Sequence, residues 1–90
     1  MRFEWDPKKA AKNLKKHGVT LQEAAAVFAD PLAVTFPDPD HSGEEERDLT
    51  FGLSLQGRLV VVSHTQRGEQ TRIISARLMD REERVIYEEG

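Results

Sequence analysis

The chain has 90 residues, with 16 Asp and Glu against 13 Lys and Arg and no cysteine. That length predicts one small domain over residues 1–90. The missing thiols exclude a disulfide framework and a thiolate metal site, and a net charge of −3 argues against a nucleic-acid binder if the molecule is taken whole.

No apolar run approaches the ~20 residues of a membrane span, and the opening MRFEWDPKK has no apolar signal core. The expected setting is the cytoplasm, with no membrane partner. The charge is segregated along the chain. Residues 1–20 carry six Lys/Arg against two acids, and residues 21–48 one against eight. Residues 49–77 carry four against one, and residues 78–90 two against five. If the two basic blocks meet in space, they form a local phosphate-attracting patch. If they do not, the charges are a mixed solvated surface.

In chain order, Arg2–Trp5 carries a short strand signal with Phe3 and Trp5 on one face. Asp6-Pro7 then supplies an N-cap and a first-turn proline for a helix that runs to Lys16 or His17 and stops at Gly18. Ala10, Leu14 and His17 share its expected inward face. Lys8, Lys9, Lys12, Lys15 and Lys16 occupy much of the rest, as a solvated face or a phosphate-facing one. Thr20–Ala29 is a second helix, with a Thr20/Glu23 capping box, a Val19/Ala24 staple and an apolar stripe of Leu21, Ala24, Ala25 and Phe28.

Ala33–Phe36 reads as a short strand and Pro37–Glu46 as an acidic loop. The loop's Asp38, Asp40, His41 and Glu44–Glu46 lack the ligand order of a calcium loop, so a mobile connection is expected and no metal site. Three strands follow. Asp48–Leu55 leads into a two-residue turn at Gln56-Gly57. Arg58–Thr65 has the apolar run of a strand covered on both faces, and a loop at Gln66–Gln70 precedes Thr71–Leu78. Asp80 and Glu83 form a capping box for a final helix with Val85, Ile86 and Tyr87. The order β-α-α-β-β-β-β-α predicts an α+β fold, a mainly antiparallel sheet with both early helices on one face.

Candidate chemistry centres on arginine. Strict alternation in Thr71–Leu78 puts Arg72 with Ile74, Ala76 and Leu78, and Arg77 with Thr71, Ile73 and Ser75. The two arginines then face opposite sides unless a bulge intervenes. Strand arginines often only sit at an edge or snorkel. The sharper alternative is that His64, Arg67 and one strand arginine converge on a phosphate, with the imidazole exchanging a proton. No nucleotide-binding glycine loop, serine elbow or HExxH is present.

Longer motifs carry a family resemblance. FEWDPKKAAKNLKKHGVTLQEAAAVFAD resembles the N-terminal signature of the BrnT-type toxins: an aromatic strand, W-D-x-x-K, a spaced Asn, K-H-G, and a second helix ending V-F-x-D. RIISAR followed by ER and Tyr87 is similar to the C-terminal signature, and Arg47-Asp48 with Gly52 and Ser63–Arg67 also fit. The resemblance spans nearly the whole chain. It implies a RelE-like fold and a metal-independent, cofactor-free endoribonuclease that arrests translation. It also implies neutralisation by a BrnA-type antitoxin and operator DNA binding through the antitoxin complex. Carried over to this chain, it implies Arg77 and Arg67 as phosphate ligands, His64 as acid or base, and Arg72 or Arg47 in support. Lys9, Lys12 and Lys16 would hold the RNA backbone; Asn13, Lys16, His17 and Gly18 match the family motif, and a structural role in the helix stop explains them nearly as well. The Glu44–Glu46 run suits a basic antitoxin. The competing expectation is a non-catalytic module that acts only by binding its partner or operator.

Overall fold

The two longest β-branched stretches become the two longest strands, and the sheet is assembled around them. The computed structural model describes residues 1–39 and 46–89. Along the chain these form β1 (Arg2–Glu4), α1 (Pro7–His17), α2 (Leu21–Val27), β2 (Val34–Pro37), β3 (Asp48–Leu53), β4 (Leu59–Arg67), β5 (Gln70–Leu78) and α3 (Arg81–Glu89). The class is α+β, in the expected order. The sheet order is β1-β5-β4-β3-β2, antiparallel throughout except that β1 runs parallel to β5. Asp40, His41, Glu44 and Glu45 of the acidic loop lie outside the described residues.

Turn chemistry sets the register. The loop after β3 has three residues rather than two. Ser54 N–H donates to the Arg58 carbonyl at 2.9 Å, and Gly57 N–H to the Ser54 carbonyl at 3.0 Å, with Gly57 at φ 78°. A left-handed glycine closing a three-residue loop matches strand twist. Between β4 and β5 the turn is tighter than expected: Arg67 pairs with Gln70, and Gly68 at φ 60° makes the corner.

The two faces of the sheet are covered differently. On one, Val60, Val62, Ile73 and Ala76 pack against Val19, Leu21, Ala24 and Val27, with Phe3, Trp5 and Phe28 around them. Each fully buried Val, Leu or Ile side chain in it contributes about 1.5–3 kcal/mol, so α2 is held by this layer, with Ala10 of α1 packed against it. The other face has a smaller cluster of Phe51, Val61 and Met79, bordered by Leu49, Leu59 and Tyr87. Among the described residues, α3, which has no buried residue, lies over it. The β4 valines are therefore covered on both sides, as their unbroken apolar run predicts.

Two polar residues anchor the helices. Beyond Arg72, β5 has no β1 partner. The Asn13 side chain takes that place: Oδ1 accepts Ala76 N–H at 3.0 Å, and Nδ2 donates to the carbonyls of Ala76 at 2.9 Å and Val19 at 2.8 Å. Asn13 is thus the buried residue of α1, while Leu14, expected to face inward, is 50% exposed. The Thr20 cap is half of the expected box. Thr20 Oγ1 accepts Glu23 N–H at 3.0 Å, but the Glu23 carboxylate turns away, to Ser54 Oγ at 2.7 Å and to the Arg58 guanidinium. That pairing holds the Glu23 carboxyl below its usual range, against the opposing effect of burial.

Candidate functional site

The site is shaped by an irregularity in β5. Ser63 pairs with Ser75, but His64 pairs with Ile73, so Ile74 is an extra residue. A bulge of this kind resets alternation. Arg72 pairs with Thr65 and Arg77 with Val61, which puts both arginines on the face away from α1 and α2. Plain alternation had separated them. The same reset buries Thr71, Ile73 and Ala76 together on the helix-covered face.

On the open face a cleft of about 290 Å³ is lined by Asp38, Arg47, Leu49, Val61, Ser63, Ser75 and Arg77. Its floor is the paired Ser63 and Ser75, with Leu49 and Val61 as an apolar edge. Arg77 reaches it from β5, and Arg47 from just before β3, where its carbonyl accepts Asp38 N–H at 2.9 Å. Arg47 is half-buried, and its guanidinium has no hydrogen-bond or ion-pair partner among the described residues. Arg77 donates in fork fashion to Glu83 of α3, Nη1 to Oε1 at 2.6 Å and Nη2 to Oε2 at 2.7 Å. This contact raises the Arg77 pKa and holds the Glu83 carboxyl below the usual range. Glu83 also completes the expected cap with Asp80, whose N–H donates to Oε1 at 2.9 Å while Asp80 Oδ1 accepts Glu83 N–H at 2.8 Å. Two guanidiniums converging over hydroxyls form an oxyanion receptor, with one of the forks engaged by a carboxylate.

A second groove adjoins the first through Ser75. It lies where α1 covers the free stretch of β5 and is lined by Lys9, Lys12, Asn13, Lys16, His17, Ile74 and Ser75. Three lysines of α1 thus border the strand whose next outward residue is Arg77.

The other expected residues lie elsewhere. His64 is on the helix-covered face, 8% exposed, with Nε2 2.7 Å from Thr50 Oγ1 and its ring 4.8 Å from that of Phe28. Burial pushes its pKa down, with the Asp48 carboxylate opposing. His64 is a neutral core imidazole, and the anticipated meeting of His64 with Arg77 is not what the fold builds, because the sheet separates them. Arg67 shares the open face but stands four residues beyond Ser63 on β4, about 13 Å along the strand. Arg72 is drawn toward β1, 3.6 Å from Glu4. Asp38, Ser63, Ser75 and Glu83 were not singled out from the sequence as lining or controlling this site. The pairing of the two serines depends on register, and Glu83 looked like a helix cap alone.

Comparison with known proteins agrees with this architecture. Residues 5–83 match the family described as ribonuclease toxin, BrnT, of type II toxin–antitoxin system. The crystal structure of the Brucella abortus ribonuclease toxin BrnT superposes with a TM-score of 0.70 at 23% sequence identity, covering 90% of this chain and 99% of that one. No curated protein sequence matches the chain. No helix among the described residues is long and apolar enough to cross a membrane. The sheet order, the helix arrangement and a family match over most of the chain lead to one conclusion: this chain belongs to the BrnT family of ribonuclease toxins of type II toxin–antitoxin systems.

Proposed function

We propose that this chain is an endoribonuclease that binds RNA across the open sheet face and cleaves it without a metal ion. The observation that carries this reading is the convergence of Arg47 and Arg77 over the Ser63–Ser75 floor, continuous with the α1 lysine groove. Lys9, Lys12 and Lys16 take successive backbone phosphates, a contact that fixes position without reading sequence. Arg47 and Arg77 hold the scissile phosphate and stabilise the charge that builds on it as the neighbouring ribose 2′-oxygen attacks. Arg72 and Arg67 extend the cationic track along β5 and β4.

Translation arrest follows from cleavage of messenger RNA. A BrnA-type antitoxin is the expected partner; it neutralises the enzyme and carries the complex to operator DNA. A test is direct. The purified protein is incubated with an RNA oligonucleotide in excess EDTA and the product ends are analysed. The reading predicts strand scission that leaves 2′,3′-cyclic phosphate and 5′-hydroxyl ends, suppressed by the co-expressed antitoxin. Intact RNA, together with a chain that still binds its antitoxin, would establish the non-catalytic module instead.

A further inference from the structure

We propose that His17, at the end of α1, is the proton acceptor of the cleavage reaction, held in place by Asn13. The proposal rests on the RNA-cleaving reading of the open face.

Three observations support it. First, His64 has its Nε2 on Thr50 and its ring against Phe28 on the far side of the sheet. It therefore cannot act in the cleft. Second, His17 is the remaining histidine among the described residues, and it lines the lysine groove beside Ser75, which also floors the arginine cleft. Third, its backbone is fixed from several sides. Asn13 bonds both Ala76 of β5 and the Val19 carbonyl, so the segment 13–19 is tied to the residue next to Ser75. Gly18 N–H donates to the Leu14 carbonyl at 2.9 Å, and Arg58 Nη2 donates to the Gly18 carbonyl at 2.9 Å.

A helix end tied to the neighbouring strand is a rigid mount, and rigid mounting is what proton transfer to a bound group requires. The charged groups lining the groove with His17 are Lys9, Lys12 and Lys16, and β5 contributes uncharged Ile74 and Ser75. A phosphodiester drawn in by the lysines therefore arrives beside an imidazole. In the step, His17 takes the 2′-hydroxyl proton as the 2′-oxygen bonds to phosphorus. The bond from phosphorus to the 5′-oxygen breaks, and that oxygen takes a proton from water. The imidazolium then returns its proton to solvent. Asn13 is a positioning residue, because it touches β5 and the helix end.

The experiment measures single-turnover cleavage of an RNA oligonucleotide across pH. Binding is measured in parallel with its 2′-O-methyl counterpart, which lacks the attacking hydroxyl. Parent, His17→Gln, His17→Lys and Lys15→Gln chains are compared, the lysine variant keeping a cation at the helix end. The proposal expects both His17 variants to bind the 2′-O-methyl oligonucleotide as the parent does and to cleave about 100-fold or more slowly. Lys15→Gln should cleave normally. Either folded His17 variant cleaving within about threefold of the parent, or losing its binding, would overturn the proposal while leaving the ribonuclease reading intact. A parent chain that leaves RNA uncut would overturn both.

Discussion

Replacing Glu83 by glutamine should strengthen RNA binding while weakening the fold. Arg77 meets Glu83 in a two-pronged contact at 2.6 and 2.7 Å, so a phosphate approaching the cleft competes with a carboxylate already seated there. The Arg77 side chain is 42% exposed and that of Glu83 13%. Solvent screening therefore limits the pair to about 0.5–1 kcal/mol. Glutamine keeps the cap on Asp80 N–H, since Glu and Gln serve equally at that position, but it gives up the charge. The folded state should lose about 0.5–1 kcal/mol, which lowers Tm by roughly 2–8 °C for a chain of this size. The same free energy, no longer opposing phosphate, should tighten affinity for a 2′-O-methyl oligonucleotide about two- to fivefold. Fluorescence anisotropy at low salt and a thermal melt read the two effects. A folded Glu83→Gln chain with unchanged or weaker affinity would refute Arg77 as a phosphate ligand.

Other perturbations bear on the fold that positions the site. Gly52→Ala should cost about 1–3 kcal/mol, because an added Cβ would stand 2.6 Å from Val27 Cγ1, in a side chain with no freedom to retreat; a denaturant titration unchanged from the parent would contradict this. Arg58→Ala should destabilise the fold, because it leaves Glu23 at 4% exposure with Ser54 Oγ as its remaining side-chain donor. The Glu23 carboxyl is depressed in the folded state, so its contribution is present above the unfolded value of 4.5 and lost as pH falls through the folded value. Acid unfolding of Arg58→Ala should accordingly lose steepness on this limb, and a parent-like acid profile would count against the pairing. Tyr87 donates to Asp30 Oδ2 at 2.6 Å, and the hydrogen bond together with burial pushes its pKa up to about 12. Its contribution is complete below the ordinary value of 10.0 and lost as pH rises through about 12. Tyr87 is the sole tyrosine, so the tyrosinate absorbance titrates it alone, and a midpoint near 10.0 would show that α3 is not seated on Asp30.

Much of the architecture was legible because local signals agreed with one another. Asp6-Pro7 and Gly18 bracket α1, Asp80 and Glu83 start α3, and the Val60–Val62 run belongs to the strand buried on both faces. Periodicity failed where a polar side chain replaced an apolar one. Asn13 displaced Leu14 from the inward face because it could bond a strand edge that only the tertiary structure leaves open. Alternation failed at Ile74 because one inserted residue reverses every assignment beyond it. That reversal brings Arg72 onto the face of Arg77. His64 was misplaced for a related reason: strand periodicity sets it on the face of Val60 and Val62 but does not say which face the helices cover. The parallel pairing of β1 with β5 and the Arg77–Glu83 contact join residues whose partners no local pattern specifies.

On the proposed function, RNA lies on the open sheet face and not on the side bearing His64. Amide chemical-shift mapping during titration with a 2′-O-methyl RNA oligonucleotide tests it without relying on any mutant. The largest changes should fall at Arg47, Ser63, Ser75 and Arg77 and continue along Lys12, Lys16 and His17, with Phe28, Thr50 and His64 little affected. Changes centred on the β2 edge or the Gly57 hairpin, with the cleft residues still, would contradict it.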